Sequence, residues 1–460
     1  MNKQHKHRPL GHRVTGIILS TVALLAASLL HSQTITPANA LSSYIHQPDT
    51  TYRWEVVDSV VVDDIVHYDL LLTSQTWRTI AWKHQLTVLV PAKTPSRTAL
   101  LYIAGGAVDE QGFPRPNKNR DDRHLRAARA VAGEQGVVVA LLRQTPNQPL
   151  FGGKKEDELI SMTLHQFQRT GDYTWPLLFP MVKSAVRAMD ATQTFLMQQR
   201  HLSVDDYVVT GLSKRGWTTW LTAAVDERVA AIAPMVIDVL HMPVSLQYQI
   251  DAWGDYSPEI QDYVALGIPQ QASSEKGRDI ITMVDPYSYR HTLYMPKILI
   301  MGTNDRYWVV DNVKNYLDSI PGENQLHYVP NAGHDLGDGI QATQALSAFV
   351  GQVVSDTGYP SISWDLAHQA NKSILRLQTS SMPPETITVW EAASADKNFS
   401  LATWRPTTLP AKRADVTDVE LHWPNDGYRA YYVDVVYRTP TGNTYSQSTR
   451  VFLFGKRGLQ

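Results

Sequence analysis

Hydrophobic residues follow two patterns along this chain, one before and one after about residue 360. In the first part, continuous apolar runs such as "TALLYIAGG" (98–106) and "GVVVALLRQ" (136–144) are typical of strands covered on both faces. Segments with apolar residues at helical spacing, such as residues 180–200, lie between these runs. The alternation predicts an α/β fold with a doubly wound, mostly parallel sheet and helices on both faces.

Two longer stretches, residues 145–180 and 241–295, interrupt this alternation and are rich in aromatic, proline and charged residues. We expect them to be helical or loop insertions above the sheet. A helical segment is expected at residues 309–320. Beyond residue 360, short segments with alternating apolar positions are separated by Pro, Asn and Gly turns, which predicts a β-sandwich-like domain over residues 360–460.

The first forty residues differ from the rest of the chain. A basic segment, an apolar segment and the small-residue sequence "ANA" follow one another in residues 1–40, which is the layout of a secretory signal peptide. An uncleaved membrane anchor is the alternative. Cleavage predicts an exported protein, periplasmic or extracellular, whose first domain covers residues 41–359 and which has no stable membrane insertion.

Composition and charge narrow the classes of function. With 43% hydrophobic and 19% charged residues, the chain has the composition of a globular protein. Residues 1–40 carry four cations and no acid, so their removal changes the formal net charge from −2 to −6, which gives no support for a nucleic-acid partner. Because the chain has no cysteine and no HExxH motif, we expect no metal site, and we expect no cofactor. The expected partner is a small-molecule or peptide substrate.

The segment "YVVTGLSKRGWTTW" (207–220) places Ser213 between a strand-like run and a helical pattern. A tight strand-to-helix turn exposes such a hydroxyl, while the following amide and the helix N-terminus face the same space. These groups can stabilise the oxyanion that forms when a serine attacks a carbonyl group. An ordinary turn in which the serine caps the helix is the alternative.

Two later segments supply a candidate base and its partner. Asp305 follows the apolar run "KILIMGT", and His334 follows "LHYVPN". The order Ser, Asp, His, each after a late strand, is that of α/β-hydrolases and predicts a catalytic triad of Ser213, His334 and Asp305. The backbone amides of Gly106 and Ala107, after an earlier strand, are candidates for a second oxyanion donor.

The segments "GLSKRGWTTWLTAAVDERVAAIAPMVIDVLHM", "VDPYSYRHTLYMPKILIMGTNDRYW" and "SIPGENQLHYVPNAGHDL" resemble the PhoPQ-activated pathogenicity-related protein family. The resemblance extends over most of residues 45–355, and "SKRGWTTW" is quite specific to that family. It implies an α/β-hydrolase-like fold for the domain at residues 41–359, a secreted or periplasmic location and a link to the PhoP/PhoQ stress or virulence response. The family name describes regulation, so it implies no particular substrate.

The serine turn departs from the usual G-x-S-x-G pattern, because Arg215 stands at the second glycine position and Gly216 follows it. A similar turn occurs in glucuronoyl esterases, in which the cation after the serine helps to hold the oxyanion. By this resemblance Lys214 is a candidate for stabilising negative charge. A solvated lysine at the start of a helix is the alternative.

Three further residues are candidates for contact with a substrate. Glu156 and Asp157, in "KKEDELISMTLHQF", resemble the acidic pair with which dipeptidyl-peptidase-like hydrolases grip a free amino terminus. Acids that favour a helix N-terminus are the alternative. Trp308 lies close to Asp305 in the sequence and is expected to line the pocket.

These observations predict a secreted or periplasmic serine hydrolase that cleaves an amide or ester bond through an acyl-enzyme. One alternative is a protein that keeps the hydrolase fold without catalysis and binds or sequesters a peptide ligand, or takes part in signalling. A second alternative is a carbohydrate esterase that resembles the glucuronoyl esterases.

Overall fold

The computed structural model describes residues 34–92, 96–115, 122–355, 360–380, 382–409, 416–439 and 441–460. Residues 1–33, which make up most of the predicted signal peptide, lie outside the described residues, and so do residues 356–359 before the predicted domain division. That division therefore stays a prediction; Ile35–Gln460 forms one compact unit. None of the helices in these described ranges is long and apolar enough to cross a membrane.

A nine-stranded sheet runs through the first part of the described chain. Its strands are β1 (Arg53–Val62), β2 (Ile65–Trp77), β3 (Ile80–Pro91), β4 (Thr98–Ile103), β5 (Val139–Leu142), β6 (Asp206–Leu212), β7 (Val229–Met235), β8 (Lys297–Gly302) and β9 (Asn324–Val329). They lie in the order β1-β2-β3-β5-β4-β6-β7-β8-β9, antiparallel as far as β5 and parallel from β5 to β9. The sheet is mostly parallel, as predicted.

Helices cover both faces of this sheet. They are α1 (Ala40–His46), α2 (Arg123–Gln135), α3 (Glu156–Thr170), α4 (Leu178–Arg200), α5 (Lys214–Ala223), α6 (Met242–Trp253), α7 (Gln261–Val264), α8 (Glu275–Val284) and α9 (Ile340–Ser355). Successive strand residues point to opposite faces, so Val208 packs in one buried cluster with α2 and α9, and Val209 in another with α4 and α5. Burial on both faces explains the continuous apolar runs in the sequence.

The two predicted insertions are largely helical. Residues 145–180 contain α3, and residues 241–295 contain α6, α7 and α8. The segment at 309–320, which we expected to be one helix, instead forms two short 3-10 helices, Asn312–Asn315 and Leu317–Ser319. The Lys314 amide bonds to the Asp311 carbonyl three residues back, and the Asn312 side-chain amide donates to the distant Asp238 carbonyl oxygen at 2.8 Å, a tertiary contact that overrides the local helical pattern.

The last part of the chain consists of antiparallel strands. They are β10 (Ile362–His368), β11 (Lys372–Thr379), β12 (Thr386–Ser394), β13 (Arg405–Leu409), β14 (Val416–His422), β15 (Tyr428–Arg438), β16 (Thr444–Ser448), β17 (Phe452–Gly455) and β18 (Gly458–Leu459). One sheet contains β10, β11 and β14, and the other contains the remaining six strands. Leu375 and Leu421 of the first sheet share a buried cluster with Val433 and Phe454 of the second, as in a β-sandwich.

Candidate active site

Ser213 lies in a tight turn between β6 and α5. Its backbone has φ 57° and ψ −125°, a conformation that costs a residue with a side chain on the order of 1–3 kcal/mol. A Cβ atom on Gly211 would lie 2.8 Å from backbone atoms of Arg215. A Cβ atom on Gly216 would lie 2.9 Å from the carbonyl oxygens of Gly211 and Met235. The turn therefore tolerates only glycine at these two positions and exposes the serine, as nucleophile turns do.

Asp305 and His334 are joined by a short hydrogen bond. His334 Nδ1 lies 2.7 Å from Asp305 Oδ2, and the Tyr307 amide donates to the other carboxylate oxygen at 2.9 Å. Because the proton of this bond is on Nδ1, neutral His334 has an unprotonated Nε2. Within the described residues, Nε2 has no hydrogen-bond partner. The imidazole is oriented to accept a proton at that atom.

The sheet brings these residues to one edge. Strands β6, β8 and β9 are parallel, and Ser213, Asp305 and His334 each follow the carboxyl end of one of them. Ser213 and Tyr307 line the same pocket, and the Tyr307 ring stacks on His334 with ring centroids 4.0 Å apart. The residues predicted as nucleophile, base and acid thus lie at the same edge of the sheet.

Backbone amides are available at this edge of the sheet. The loop after β4, the strand beside β6, contains Gly106 and Ala107, and no hydrogen bond to either amide nitrogen is found among the described residues. A Cβ atom on Gly106 would lie 2.9 Å from Gln144 Nε2, so the loop packs closely there. The amide of Lys214, at the first position of α5, has no partner within its own helix. These amides are the candidate oxyanion donors.

The two cations that follow the serine are paired with the acids at the start of α3. Lys214 Nζ lies 3.0 Å from Glu156 Oε2 and 3.1 Å from Asp157 Oδ2. The Arg215 guanidinium donates to both oxygens of Glu156, each at 2.7 Å. Burial raises the pKa of the Glu156 carboxyl, but the charge and hydrogen bonds of Arg215, together with Lys214, outweigh it and lower the pKa to about 2.

This pairing bears on two predicted roles. Lys214 was expected to stabilise an oxyanion, and Glu156 with Asp157 was expected to grip an amino group. In the structure these side chains neutralise one another, so either role requires an ion pair to open. Both roles stay predictions.

An apolar pocket adjoins Ser213 and has a volume of about 890 Å³, part of it open to solvent. Its wall consists of Asp157, Leu164, Ser213, Lys214, Trp217, Ile237, Val239, Met242, Pro243, Leu246, Ile260, Tyr263, Ile268, Pro269, Ala272, Gly277, Ile280, Ile281, Val284, Tyr307 and Trp308. The wall includes Trp308, whose contact with a substrate stays a prediction. Most of the other residues belong to the two insertions, whose role in the pocket the sequence did not indicate.

One buried acid near the site was missed in the sequence. Asp238 is 4% exposed and accepts hydrogen bonds from the Tyr316 hydroxyl at 2.7 Å and from Asn312 Nδ2 at 3.2 Å. Burial raises its pKa to about 7, and the charges of Asp305 and Asp311 act in the same direction. Asp238 directly follows the apolar run "VAAIAPMVI", so the signal that identified Asp305 was also present here.

The strand order, the parallel strands from β5 to β9 and the strained serine turn after β6 define a protein of the α/β-hydrolase fold. The chain belongs to the PhoPQ-activated pathogenicity-related protein family, whose sequence profile matches residues 41–400. It is 30% identical to autocrine proliferation repressor protein A of Dictyostelium discoideum. The alignment spans 448 residues and covers 90% of this chain and 88% of that protein. The family membership confirms the resemblance of the three segments quoted above.

Among solved structures, the chain is similar to acetyl xylan esterase 1 from Thermoanaerobacterium sp., with 15% identity and a TM-score of 0.44 over 65% of this chain and 87% of that one. It is also similar to an S-formylglutathione hydrolase from Agrobacterium tumefaciens, with 12% identity and a TM-score of 0.43 over 66% of this chain and 100% of that one. In both comparisons about a third of this chain lies outside the match.

Proposed function

We propose that this protein is a serine hydrolase that cleaves an ester or amide bond, with Ser213 as nucleophile, His334 as base and Asp305 as the partner that orients the base. The observation that supports this proposal most is the 2.7 Å hydrogen bond between His334 Nδ1 and Asp305 Oδ2. It leaves Nε2 without a partner, within the described residues, at the edge of the sheet where the strained turn exposes Ser213.

In the proposed reaction, Ser213 Oγ forms a bond to the substrate's carbonyl carbon while its proton passes to His334 Nε2. The Asp305 carboxylate stabilises the imidazolium that results. The amides of Lys214 and of the loop at Gly106 donate to the carbonyl oxygen as it becomes negative. His334 returns the proton to the leaving group when the bond to the carbonyl carbon breaks, and water then hydrolyses the acyl-enzyme.

Labelling with a fluorophosphonate probe tests this assignment. We expect the purified wild-type protein to be labelled and the Ser213→Ala and His334→Ala variants to be unlabelled, because both the nucleophile and its base are needed. Ser273→Ala and His291→Ala are matched controls, since both residues are exposed. Wild-type labelling of a folded Ser213→Ala variant would reject Ser213 as the nucleophile.

A binding protein without catalysis is the second candidate. The observation in its favour is the name of the Dictyostelium relative, which describes repression of proliferation and no reaction. The Ser213→Ala variant separates the two candidates, because it removes the nucleophile and leaves the surface almost unchanged. A biological effect that this variant retains in full would assign the function to binding.

Glu156 and Asp157, at the start of α3, bear on whether the bond that is cleaved belongs to a peptide substrate. Asp157 lies in the wall of the apolar pocket together with Ser213, which is compatible with a grip on a peptide's amino terminus. If Glu156 and Asp157 act in this way, a peptide with a free amino terminus is cleaved faster than its acetylated form. Glu156→Gln and Asp157→Asn would then remove the difference, whereas equal cleavage of both peptides by the wild type would contradict the grip.

We further propose that the protein is exported and serves a PhoP/PhoQ-linked response. The layout of residues 1–40 supports export, and the family description supports the regulatory link. Amino-terminal sequencing of the protein recovered from the periplasm and medium tests the first point. A first residue at position 41 is expected, and a chain that stays intact in the membrane fraction would support the anchor instead.

A further inference from the structure

The wall of the apolar pocket shows which chemistry it can accept. Beyond its polar residues near the serine, it is formed by aliphatic and aromatic side chains such as Leu246, Ala272 and Ile280. Trp217 also lines it, but its indole nitrogen donates to the Val284 carbonyl at 2.5 Å and is not available to a ligand. The Trp308 indole nitrogen, which also lies in the wall, has no hydrogen-bond partner among the described residues. In the part of the pocket that the aliphatic side chains form, a polar substrate group would lose its hydration and gain few partners, whereas an apolar group would gain by leaving water.

The position of His334 indicates which part of the substrate enters this pocket. The histidine returns a proton to the leaving group, so the leaving group must lie on the side of His334. Among the described residues, the wall of the pocket includes Ser213 and Tyr307 but not His334, and the Tyr307 ring stacks on the imidazole. The absence of His334 from this wall favours binding of the part of the substrate that stays on the serine when the leaving group departs.

We propose that the apolar pocket binds the group attached to the substrate's carbonyl carbon, and that this group is apolar, namely an aliphatic chain of medium length or an aromatic side chain. The inference rests on the proposed function, since it needs Ser213 to attack a carbonyl carbon. A short polar acyl group such as acetyl would contact few of the apolar side chains in the wall.

Fluorophosphonates with alkyl groups of increasing length provide the test. In these probes phosphorus takes the place of the carbonyl carbon, the alkyl group takes the place of the acyl chain, and fluoride leaves as the Ser213 Oγ–phosphorus bond forms. We expect the second-order rate of labelling to rise by about fourfold for each methylene that the pocket buries, up to an optimum length. Nitrophenyl esters of the same chain lengths should show the same optimum in kcat/KM.

Two variants of the wall should move that optimum in opposite directions. Ala272→Leu reduces the space and should shift the optimum to shorter chains, whereas Leu246→Ala enlarges it and should shift the optimum to longer or bulkier chains. Val244→Ala is the matched control, because Val244 lies on the same helix as Leu246, is 39% exposed and does not line the pocket. Thermal melting shows whether each variant is folded.

The outcomes separate this inference from the proposed function. If no fluorophosphonate of any length labels the wild type, the proposed function fails. If the probes label Ser213 at a rate that does not depend on alkyl length, the function stands and the pocket assignment is overturned. An optimum that stays the same in both folded wall variants also overturns it, since the chain then binds elsewhere.

Discussion

Asn331 and Trp404 are joined by two reciprocal hydrogen bonds. Asn331 Nδ2 donates to the Trp404 carbonyl oxygen at 3.0 Å, and the Trp404 amide donates to Asn331 Oδ1 at 2.7 Å. Asn331 precedes His334 by three residues, and Asn304, directly before Asp305, donates to the Ala402 carbonyl at 2.7 Å. The segment between β12 and β13 therefore contacts both loops that contain the candidate base and its partner.

Replacing Asn331 by alanine should weaken catalysis and stability together. The change leaves the amide and carbonyl of Trp404 without these partners, which costs about 1–3 kcal/mol when such groups are buried. The loop of His334 also loses an anchor, so we expect kcat to fall roughly tenfold with a smaller change in KM. Steady-state kinetics and urea unfolding measure the two effects.

The matched control for this change is Asn371→Ala, because Asn371 is exposed and makes no side-chain hydrogen bond within the described residues. Its kinetics and its free energy of unfolding should equal those of the wild type. A folded Asn331→Ala variant with unchanged kcat would show that the contact with Trp404 does not position His334.

Two glycines in helices should respond oppositely to replacement by alanine. In Gly216→Ala the new Cβ would lie 2.9 Å from two carbonyl oxygens, so the serine turn must shift and unfolding should become easier by about 2 kcal/mol or more. In Gly133→Ala the nearest atom to the new Cβ, outside the backbone of its own helix, is Ile65 Cδ1 at 3.6 Å, an ordinary contact. That variant should be more stable by about 1 kcal/mol, because alanine favours the helix interior.

Thermal or urea unfolding of both glycine variants measures these differences, and fluorophosphonate labelling reports on the serine. We expect Gly216→Ala to lose labelling and Gly133→Ala to keep it. A Gly216→Ala variant with wild-type stability and labelling would contradict the close packing of the turn.

Glu156→Gln should lower the free energy of unfolding in a way that depends on pH. The pKa of Glu156 is lowered from 4.5 to about 2, so its ion pairs stabilise the fold fully above pH 4.5 and lose this effect as the pH falls to about 2. The side chain is 40% exposed, and solvent screening limits the expected loss at pH 7 to about 1 kcal/mol. Urea unfolding at several pH values measures it.

Glu227→Gln is the control for this prediction, since Glu227 is exposed and has no ion pair in the described part of the chain. It should leave unfolding unchanged throughout this range. A loss of stability in Glu156→Gln that is as large at pH 2 as at pH 7 would contradict a charge effect and indicate a packing effect.

Asp238→Asn should make the protein more stable at alkaline pH than the wild type. The folded-state pKa of Asp238 is raised to about 7, so the wild type loses stability as the pH rises from about 4 to about 7. Asparagine removes that ionisation, and the advantage of the variant at pH 8 should be on the order of a few kcal/mol. Melting curves between pH 4 and pH 8 test the sign and the range.

Asp434→Asn is a matched control, because burial also raises the pKa of Asp434 to about 7 and this residue lies in β15. Both variants should show the same trend in stability. Only Asp238→Asn should change the pH dependence of labelling, since Asp238 and Asp305 line the same small cavity and their like charges repel. An equal effect of both variants on labelling would contradict this proximity.

Much of the candidate site could be predicted because its signals are local. A buried parallel strand is an uninterrupted apolar run, and the residue that follows its carboxyl end lies at the functional edge of the sheet. This rule located Ser213, Asp305 and His334 at one edge from their positions after three such runs. Applied to residues 229–237, the same rule would also have located Asp238.

Other features depend on side chains that are far apart in the sequence. Lys214 and Asp157 form an ion pair across an insertion whose path no local pattern specifies, so the charge state of the cluster could not be predicted. The helix expected at residues 309–320 was wrong, because contacts of Asn312 and Tyr316 with Asp238, which is distant in the sequence, override the local helical pattern.

The sequence by itself determined the alternation of buried strands and helices in the main sheet, the tight turn at Ser213 and the family to which the chain belongs, because each depends on neighbouring residues or on direct similarity. Only the tertiary structure decided that the insertions form an apolar pocket beside Ser213, that Lys214 and Arg215 are neutralised by acids of α3, and that Trp404 contacts the loop of His334. These contacts join residues that are far apart in the sequence, and they form only when the elements pack against one another.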